Sequence, residues 1–269
     1  MSERSLADKR PTASKGILGL VAEPRILAWL SVVLLLAAWE FTVWAAKLNP
    51  IYLPAPSGIL RALIDLFRTG GLGFDLVITL WRIFAGFAIA IVLGVAIGIW
   101  MATSERMRAV ADLYIAALYP LPKITLIPLL IIWLGTGGPF MLTISALGAI
   151  FPIIINTVLG IRQCDAGLVL AARDLRANQS QIIMKVLLPS AIPSIFAGIR
   201  LGLGVSIILV VAAEMVVGKV GLGGRLFLAG QVLETEQVFA VLIVLAILGI
   251  VVTKIQDMID VWLGHWRID

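Results

Sequence analysis

The sequence predicts an all-α membrane protein with about six transmembrane helices and both termini on the cytoplasmic side. Three observations carry this expectation. Of the 269 residues, 61% are apolar and only 14% charged, against about 45–50% and about 25% in a soluble domain. Apolar runs of spanning length recur, separated by short segments rich in Gly, Pro and charge. The basic residues collect in alternate connecting segments.

The chain divides into a cytoplasmic N-terminal tail, residues 1–25, and one transmembrane domain, residues 26–269. The tail is polar and carries Arg4, Lys9, Arg10 and Lys15. The first apolar run, Ile26–Ala46, is about 20 residues long, which suits a retained span better than the roughly 7–15 apolar residues of a cleaved signal. Asn49-Pro50 and Pro54-Ala55-Pro56-Ser57 follow. Ser57 is placed to cap a short amphipathic helix with Ile59, Leu60, Leu63, Ile64 and Phe67 along one face. That helix is too polar to span and is expected along the membrane surface.

Gly70-Gly71-Leu72-Gly73 ends it, and a second span runs over Leu76–Met101, followed by a charged turn at Ser104–Arg108. The third span, Val110–Leu134, contains Pro120, Pro122 and Pro128. Each proline removes a backbone donor, so this span is expected to be kinked or locally unwound. Irregular backbone at membrane depth persists only where protein or a cavity surrounds it. Gly135–Pro139 turns the chain into a fourth span, Phe140–Leu159. The fifth and sixth spans are Ala191–Val216 and Val238–Val261. Between them, the glycine-rich stretch Gly218–Glu236 is expected to hold a short helix, with Gly221-Leu222-Gly223-Gly224 read as a turn.

Six spans put both termini on one side. With that side inside, the inner segments hold Arg4, Lys9, Arg10, Lys15, Arg25, Arg106, Arg108, Arg162, Arg173, Arg176, Lys185, Lys254 and Arg267. The outer segments hold Lys47, Arg61, Arg68, Lys219 and Arg225. Thirteen against five obeys the positive-inside rule.

The long polar segment Gly160–Pro189 is therefore cytoplasmic. It carries Arg162, Arg173, Arg176, Lys185, Asp165 and Asp174, and Leu168, Ala171, Ala172 and Leu175 recur at helical spacing. Asn178 with Gln181 forms a capping-box pattern for a second short helix that Pro189 is expected to end. Two short helices joined by a bend at the water boundary suit a docking surface.

Five ionisable residues stand in or near the spans: Glu40, Arg82, Lys123, Arg200 and Glu214. A charge at mid-bilayer costs roughly 2.5–3.5 kcal/mol on insertion scales, so such groups face protein or water. Arg82 and Arg200 lie near span ends, where snorkelling competes with a functional role. Lys123 lies among the prolines, where a cation beside unwound backbone suits an anion pathway; pairing with Glu214 or Glu40 is the competing reading. Glu214 is deep enough to require a partner. Lys123, Arg82, Arg200 and Glu214 are the candidate pathway residues. Three cations against two acids lean towards an anionic solute.

Several chemistries are disfavoured. No GxxxxGK[ST] loop is present to cradle ATP phosphates, and no GxSxG, HExxH or CxxC appears. No catalytic residue is assigned. One histidine, His265, leaves no His-based metal site, and the single Cys164 reads as a reduced thiol. The basic residues form no dense run with interleaved aromatics, so a nucleic-acid partner is not expected.

Leu170-Ala171-Ala172, then Arg176, then Val186 and Leu188-Pro189 resemble the loop signature of ABC-importer permeases: EAA, three residues, G, nine residues, I, one residue, LP. The spacing fits without a gap. Leu170 stands where the family has Glu, and Arg176 where it has Gly. LPAPSGIL (53–60), YPLPKITLIPLLIIWLGTG (119–137), ALGAIFPIIINTVLGIR (146–162), LPSAIPSIFAGIRLGLG (188–204) and VAAEMV (211–216) further resemble the nitrate/sulfonate/taurine-type subfamily.

This resemblance implies the type I ABC importer fold, in the bacterial plasma (inner) membrane. It also implies partners: a second permease copy completing a homodimeric pore, two ATP-binding subunits that hold ATP and Mg, and an extracytoplasmic solute-binding protein. This chain itself would bind no cofactor. Carried onto the matching positions, the ATPase-coupling loop comprises Leu170, Ala171, Ala172, Arg173, Asp174, Arg176, Ala177, Asn178, Leu188 and Pro189. A glycine at position 176 would permit positive φ, which costs Arg about 1 kcal/mol. Either Arg176 bears that geometry, Asn178 takes the bend two residues later, or the first helix runs longer. An ion-coupled carrier working without an ATPase is the alternative, and it would rely on Glu40 and Glu214.

Overall fold

The computed structural model describes residues 24–218 and 220–263. The predicted tail residues Arg4, Lys9, Arg10 and Lys15, together with Lys219, His265 and Arg267, lie outside the described residues. The helices are α1 (Pro24–Ala45), α2 (Pro56–Arg68), α3 (Leu72–Thr103), α4 (Glu105–Leu118), α5 (Ile127–Leu134), α6 (Gly138–Arg162), α7 (Ala166–Asp174), α8 (Gln179–Ile182), α9 (Leu188–Val217), α10 (Leu222–Gln231) and α11 (Thr235–Leu263). A 3-10 turn over Lys123–Leu126 precedes α5, and a π-helical segment over Ile183–Leu187 joins α8 to α9.

Helices α1, α3, α6, α11 and the continuous α8–α9 rod are each long and apolar enough to cross a membrane. The third expected span, Val110–Leu134, is locally unwound in its middle, as its prolines predict. Helix α4 and the segment from Lys123 to Leu134 meet at 90°. Pro120 and Pro122 both fall in the break between Leu118 and Lys123, where missing donors and ring clashes leave no helical ladder to continue. The turn before α4 is also shorter than expected. Ser104 alone is extended, and its hydroxyl accepts from the Met107 amide at 3.4 Å, so α4 starts at Glu105.

The middle of the bundle is the layer α3–α6–α9. Apolar burial gives little drive for helices to associate in lipid, so close contact depends on small side chains and hydrogen bonds. Gly86, Ala90, Gly94 and Gly98 recur every fourth residue on α3 and are all buried. A Cβ on Gly86 would come within 2.5 Å of the Leu142 carbonyl and of Ser145 on α6. On α9, a Cβ on Gly198 would meet the Pro152 carbonyl of α6 at 2.8 Å. Two buried hydroxyls bind the layer across helices: Ser145 donates to the Ile83 carbonyl at 2.8 Å and Ser206 to the Ser145 carbonyl at 2.7 Å.

Helix α2 departs from expectation in two ways. Ser57 does not cap it: the helix begins at Pro56, and the Ser57 amide and hydroxyl both donate to the Glu40 carboxylate of α1, at 3.0 and 2.7 Å. A carboxylate at a helix N-terminus satisfies free amides and suits the helix dipole. Its apolar residues also divide into two rows. Ile59 and Leu66 are buried with Ala62 and Leu63 beside them, whereas Leu60, Ile64 and Phe67 are exposed. At the same end, Trp39 of α1 meets Phe239 of α11 edge-on at 5.8 Å.

Candidate functional site

The residues of the expected coupling loop are assembled by local rules. After α6 ends at Arg162, Asp165 caps α7, its carboxylate accepting from the Gly167 amide at 2.7 Å. Leu170, Ala171, Ala172, Arg173 and Asp174 form the body of α7, with Arg173 in the last turn, where a cation favours the helix dipole. No residue of α7 is buried. Leu168, Leu170 and Leu175 are exposed, Leu175 by 84%. Of the apolar row expected on this helix, Leu168, Ala171 and Leu175 are exposed and Ala172 is half-buried among the described residues.

The bend falls on Arg176. Its φ is +58°, whereas Asn178 has φ −75° and is extended. The Arg176 amide donates to the Arg173 carbonyl at 2.8 Å, and the Ala177 amide to the Ala172 carbonyl at 3.0 Å. These two bonds are the Schellman closure, with Arg in the left-handed position that glycine ordinarily fills. The alternatives in which Asn178 took the bend, or α7 ran longer, are thereby corrected. Asn178 is committed elsewhere: it and Gln181 exchange side-chain-to-amide bonds of 2.9 Å each, the full capping box.

Pro189 does not end the second helix. The rod from Gln179 to Val217 is uninterrupted over 39 residues, and Pro189 sits in the first turn of α9. A proline ring would clash with the carbonyl four residues back, here that of Lys185. Lys185 lies inside the π segment, whose wider ladder accommodates the ring. The loop is therefore continuous with a membrane span.

The four candidate pathway residues fall in three places. Arg82 donates to Glu214 at 2.6 Å and to the Val220 carbonyl at 2.8 Å. Arg200 of α9 pairs with Asp257 of α11 at 2.8 Å on the surface of the chain. Lys123 stands at the 90° break, donating to the Tyr119 carbonyl at 3.0 Å. Its ammonium lies 5.2 Å from the Tyr119 ring centroid and 5.3 Å from that of Phe151, a cation–π geometry. Neither Glu40 nor Glu214 is its partner.

Around Glu214 the structure gathers residues that the sequence reading did not name. Glu214 is fully buried and also accepts from the Thr79 hydroxyl and, at 3.0 Å, the Gly223 amide. Thr79 in turn accepts from the Leu222 amide at 2.9 Å. Asp75 accepts from the Gly221 amide at 3.0 Å and pairs with Arg225. Asp75, Thr79 and Arg82 sit at i, i+4 and i+7 on α3, a polar stripe in an apolar span that marks one buried face. The stretch Gly221-Leu222-Gly223-Gly224 is not simply a turn: Gly221, at φ +107°, precedes α10, and Leu222, Gly223 and Gly224 are its buried first turn. Glycine is required at 223, where a Cβ would strike the Val211 carbonyl.

Comparison with known proteins agrees with this architecture. Residues 90–265 match the family described as the binding-protein-dependent transport system inner membrane component. The chain is 30% identical over 240 residues to the taurine transport system permease protein TauC of Escherichia coli, covering 86% of this chain and 87% of that one. It is 30% identical over 260 residues to the nitrate import permease protein NrtB of Synechocystis, covering 93% and 94%. Among solved structures, an inward-facing conformation of the MetNI methionine ABC transporter superposes with a TM-score of 0.61 at 22% identity, over 69% of this chain and 92% of that one. That likeness shows the type I importer permease fold.

Proposed function

The chain belongs to the binding-protein-dependent transport system inner membrane components, and on that premise we propose that it works in the inner membrane as the permease subunit of an ATP-driven importer for a small anionic solute of the nitrate, sulfonate, taurine or carboxylate kind. The observation that carries the proposal is the exposed α7–α8 pair. Its apolar row is largely uncovered among the described residues, its bend is fixed by two backbone bonds, and its second helix runs directly into a span. Such a surface suits insertion into a cleft on an ATPase.

In this reading two ATPase chains, holding ATP and Mg, attach to the loop, and a second copy of this chain completes the pore. A solute-binding protein delivers from the outer side. ATP-driven closure of the ATPase pair pushes on the loops, and the spans alternate between outward and inward access. The inner placement of both termini and of the loop rests on the thirteen-to-five distribution of basic residues. The names of the taurine and nitrate relatives support the anionic class. Within the spans, Lys123 is the pathway candidate, because its ammonium is balanced by ring faces and a carbonyl. Arg82, Glu214 and Arg200 are engaged in ion pairs.

The ion-coupled alternative loses its basis. It needs free carboxylates in the spans, and Glu40 and Glu214 are both occupied by hydrogen-bond donors. Purification from native membranes tests the choice. Co-isolation of an ATPase chain, with uptake that requires ATP, supports the importer; gradient-driven uptake by this chain alone refutes it.

A further inference from the structure

Glu214 lies at the far end of the rod that starts in the loop. From Gln179 to Val217 the helix is continuous, with a π segment at Ile183–Leu187 and a proline at Pro193, a span of about 55–60 Å at the α-helical rise. At the loop end the rod is fixed by the Asn178 capping box. At the other end Glu214 binds Arg82 and Thr79 of α3 and the Gly223 amide in the first turn of α10. Thr79 and Asp75 hold the next amides, Leu222 and Gly221. Three consecutive backbone donors at the start of α10 are thus held by side chains of α3 and α9.

Helix α10 also forms a wall of the outer surface. Arg225 borders a cleft of about 780 Å³ shared with Arg61 and Asp65 of α2 and with Glu234, Glu236 and Gln237. Gln231, at the end of α10, is exposed and borders an adjoining cleft of about 280 Å³ with Asp75 and Arg225. The Asp75 carboxylate touches both the cleft residue Arg225 and the Gly221 amide.

We propose that Glu214 is a positioning residue for transport: with Arg82 and Thr79 it latches α10 to the outer end of the α8–α9 rod, so that displacement of the cytoplasmic loop moves the wall of the outer cleft. The proposal rests on the reading of the loop as the ATPase attachment point. A continuous helix is stiff along its axis, and a fully buried, multiply bonded carboxylate lets its neighbours move only together. Without the latch, α10 keeps only its packing against the rod, where Gly223 lies on the Val211 carbonyl, and the chain connection through Gly218 and Gly221, both at positive φ.

The test reads the outer end directly and needs no solute. In a Cys164→Ser background, Gln231→Cys is labelled from outside with a membrane-impermeant maleimide, in membranes containing the complex with its ATPase chain. In the otherwise unaltered protein, trapping with ATP and vanadate changes the labelling rate by about fivefold or more. Glu214→Gln, which keeps side-chain volume, retains the ATPase chain and hydrolysis but loses that change. The same change in Glu214→Gln as in the parent, or no change in the parent, overturns the proposal. Should Glu214→Gln not assemble, Thr79→Ala must show the same loss; failure of both to assemble assigns these side chains to folding alone and also overturns it. Failure of the underlying reading looks different, because the parent itself then retains no ATPase chain.

Discussion

Arg82 and Glu214, 132 positions apart in the chain, meet at 2.6 Å across α3 and α9, with the carboxylate fully buried. Removing one partner of a buried pair leaves a charge uncompensated, at a cost of about 3–5 kcal/mol. Arg82→Leu is therefore expected to lower the melting temperature in detergent more than Glu214→Gln, which removes the buried charge and leaves the partly exposed Arg82 guanidinium its Val220 carbonyl. The double variant should be less damaged than the sum of the two, since the orphaned charge is gone. Strict additivity in thermal melts would show that the two groups do not interact.

The loop offers a second test. With φ at +58°, Arg176 bears a backbone geometry that L side chains resist. Arg176→Gly should be neutral or stabilising by up to about 1 kcal/mol, and Arg176→Val destabilising by about 1 kcal/mol or more. Thermal unfolding of the chain without its partners separates this effect from contact loss. Equal effects of Gly and Val would contradict the left-handed assignment.

Close packing of the central layer predicts a sharp contrast between glycines. Gly86→Ala forces a methyl against the Leu142 carbonyl, whereas Gly249→Ala meets nothing within 4 Å. The first should cost about 1–3 kcal/mol, and the second should be neutral or slightly stabilising. Detergent stability of the two purified variants checks this, and tolerance of Gly86→Ala would mean that α3 and α6 lie further apart.

Lys123 carries the solute side of the account. Lys123→Ala should still insert and associate with its partners, because the side chain makes one carbonyl bond and two ring contacts. Apparent affinity for an anionic solute in proteoliposomes should fall. Unchanged affinity in an assembled variant sinks its pathway role.

Much of the architecture was legible because lipid imposes long apolar runs, and because caps and prolines are local. The Asn178–Gln181 capping box and the short helix between Gly218 and Glu236 needed no tertiary knowledge. Pro120 and Pro122 announced a disturbed span, but the 90° angle depends on how the two halves pack. Glu40 displaced Ser57 as the α2 cap because it approaches from 17 positions away, beyond any local pattern. The stripe Asp75, Thr79, Arg82 and the small residues at 86, 90, 94 and 98 were visible spacings that the hydropathy reading passed over. Only contacts with Glu214, α10 and α6 give them meaning. Left-handed Arg176 was one of three open outcomes, decided by two backbone hydrogen bonds that a sequence does not display.

The exposed apolar row of α7 is the feature on which the functional account turns. Leu168→Asp with Leu175→Asp changes two exposed side chains, so insertion, expression and melting temperature should be preserved. The decisive measurement is the amount of ATPase chain retained when this double variant is purified from native membranes. The account predicts a loss of about tenfold or more, as for central residues of a protein interface. Retention equal to that of the unaltered protein, with ATP-dependent uptake intact, would contradict it.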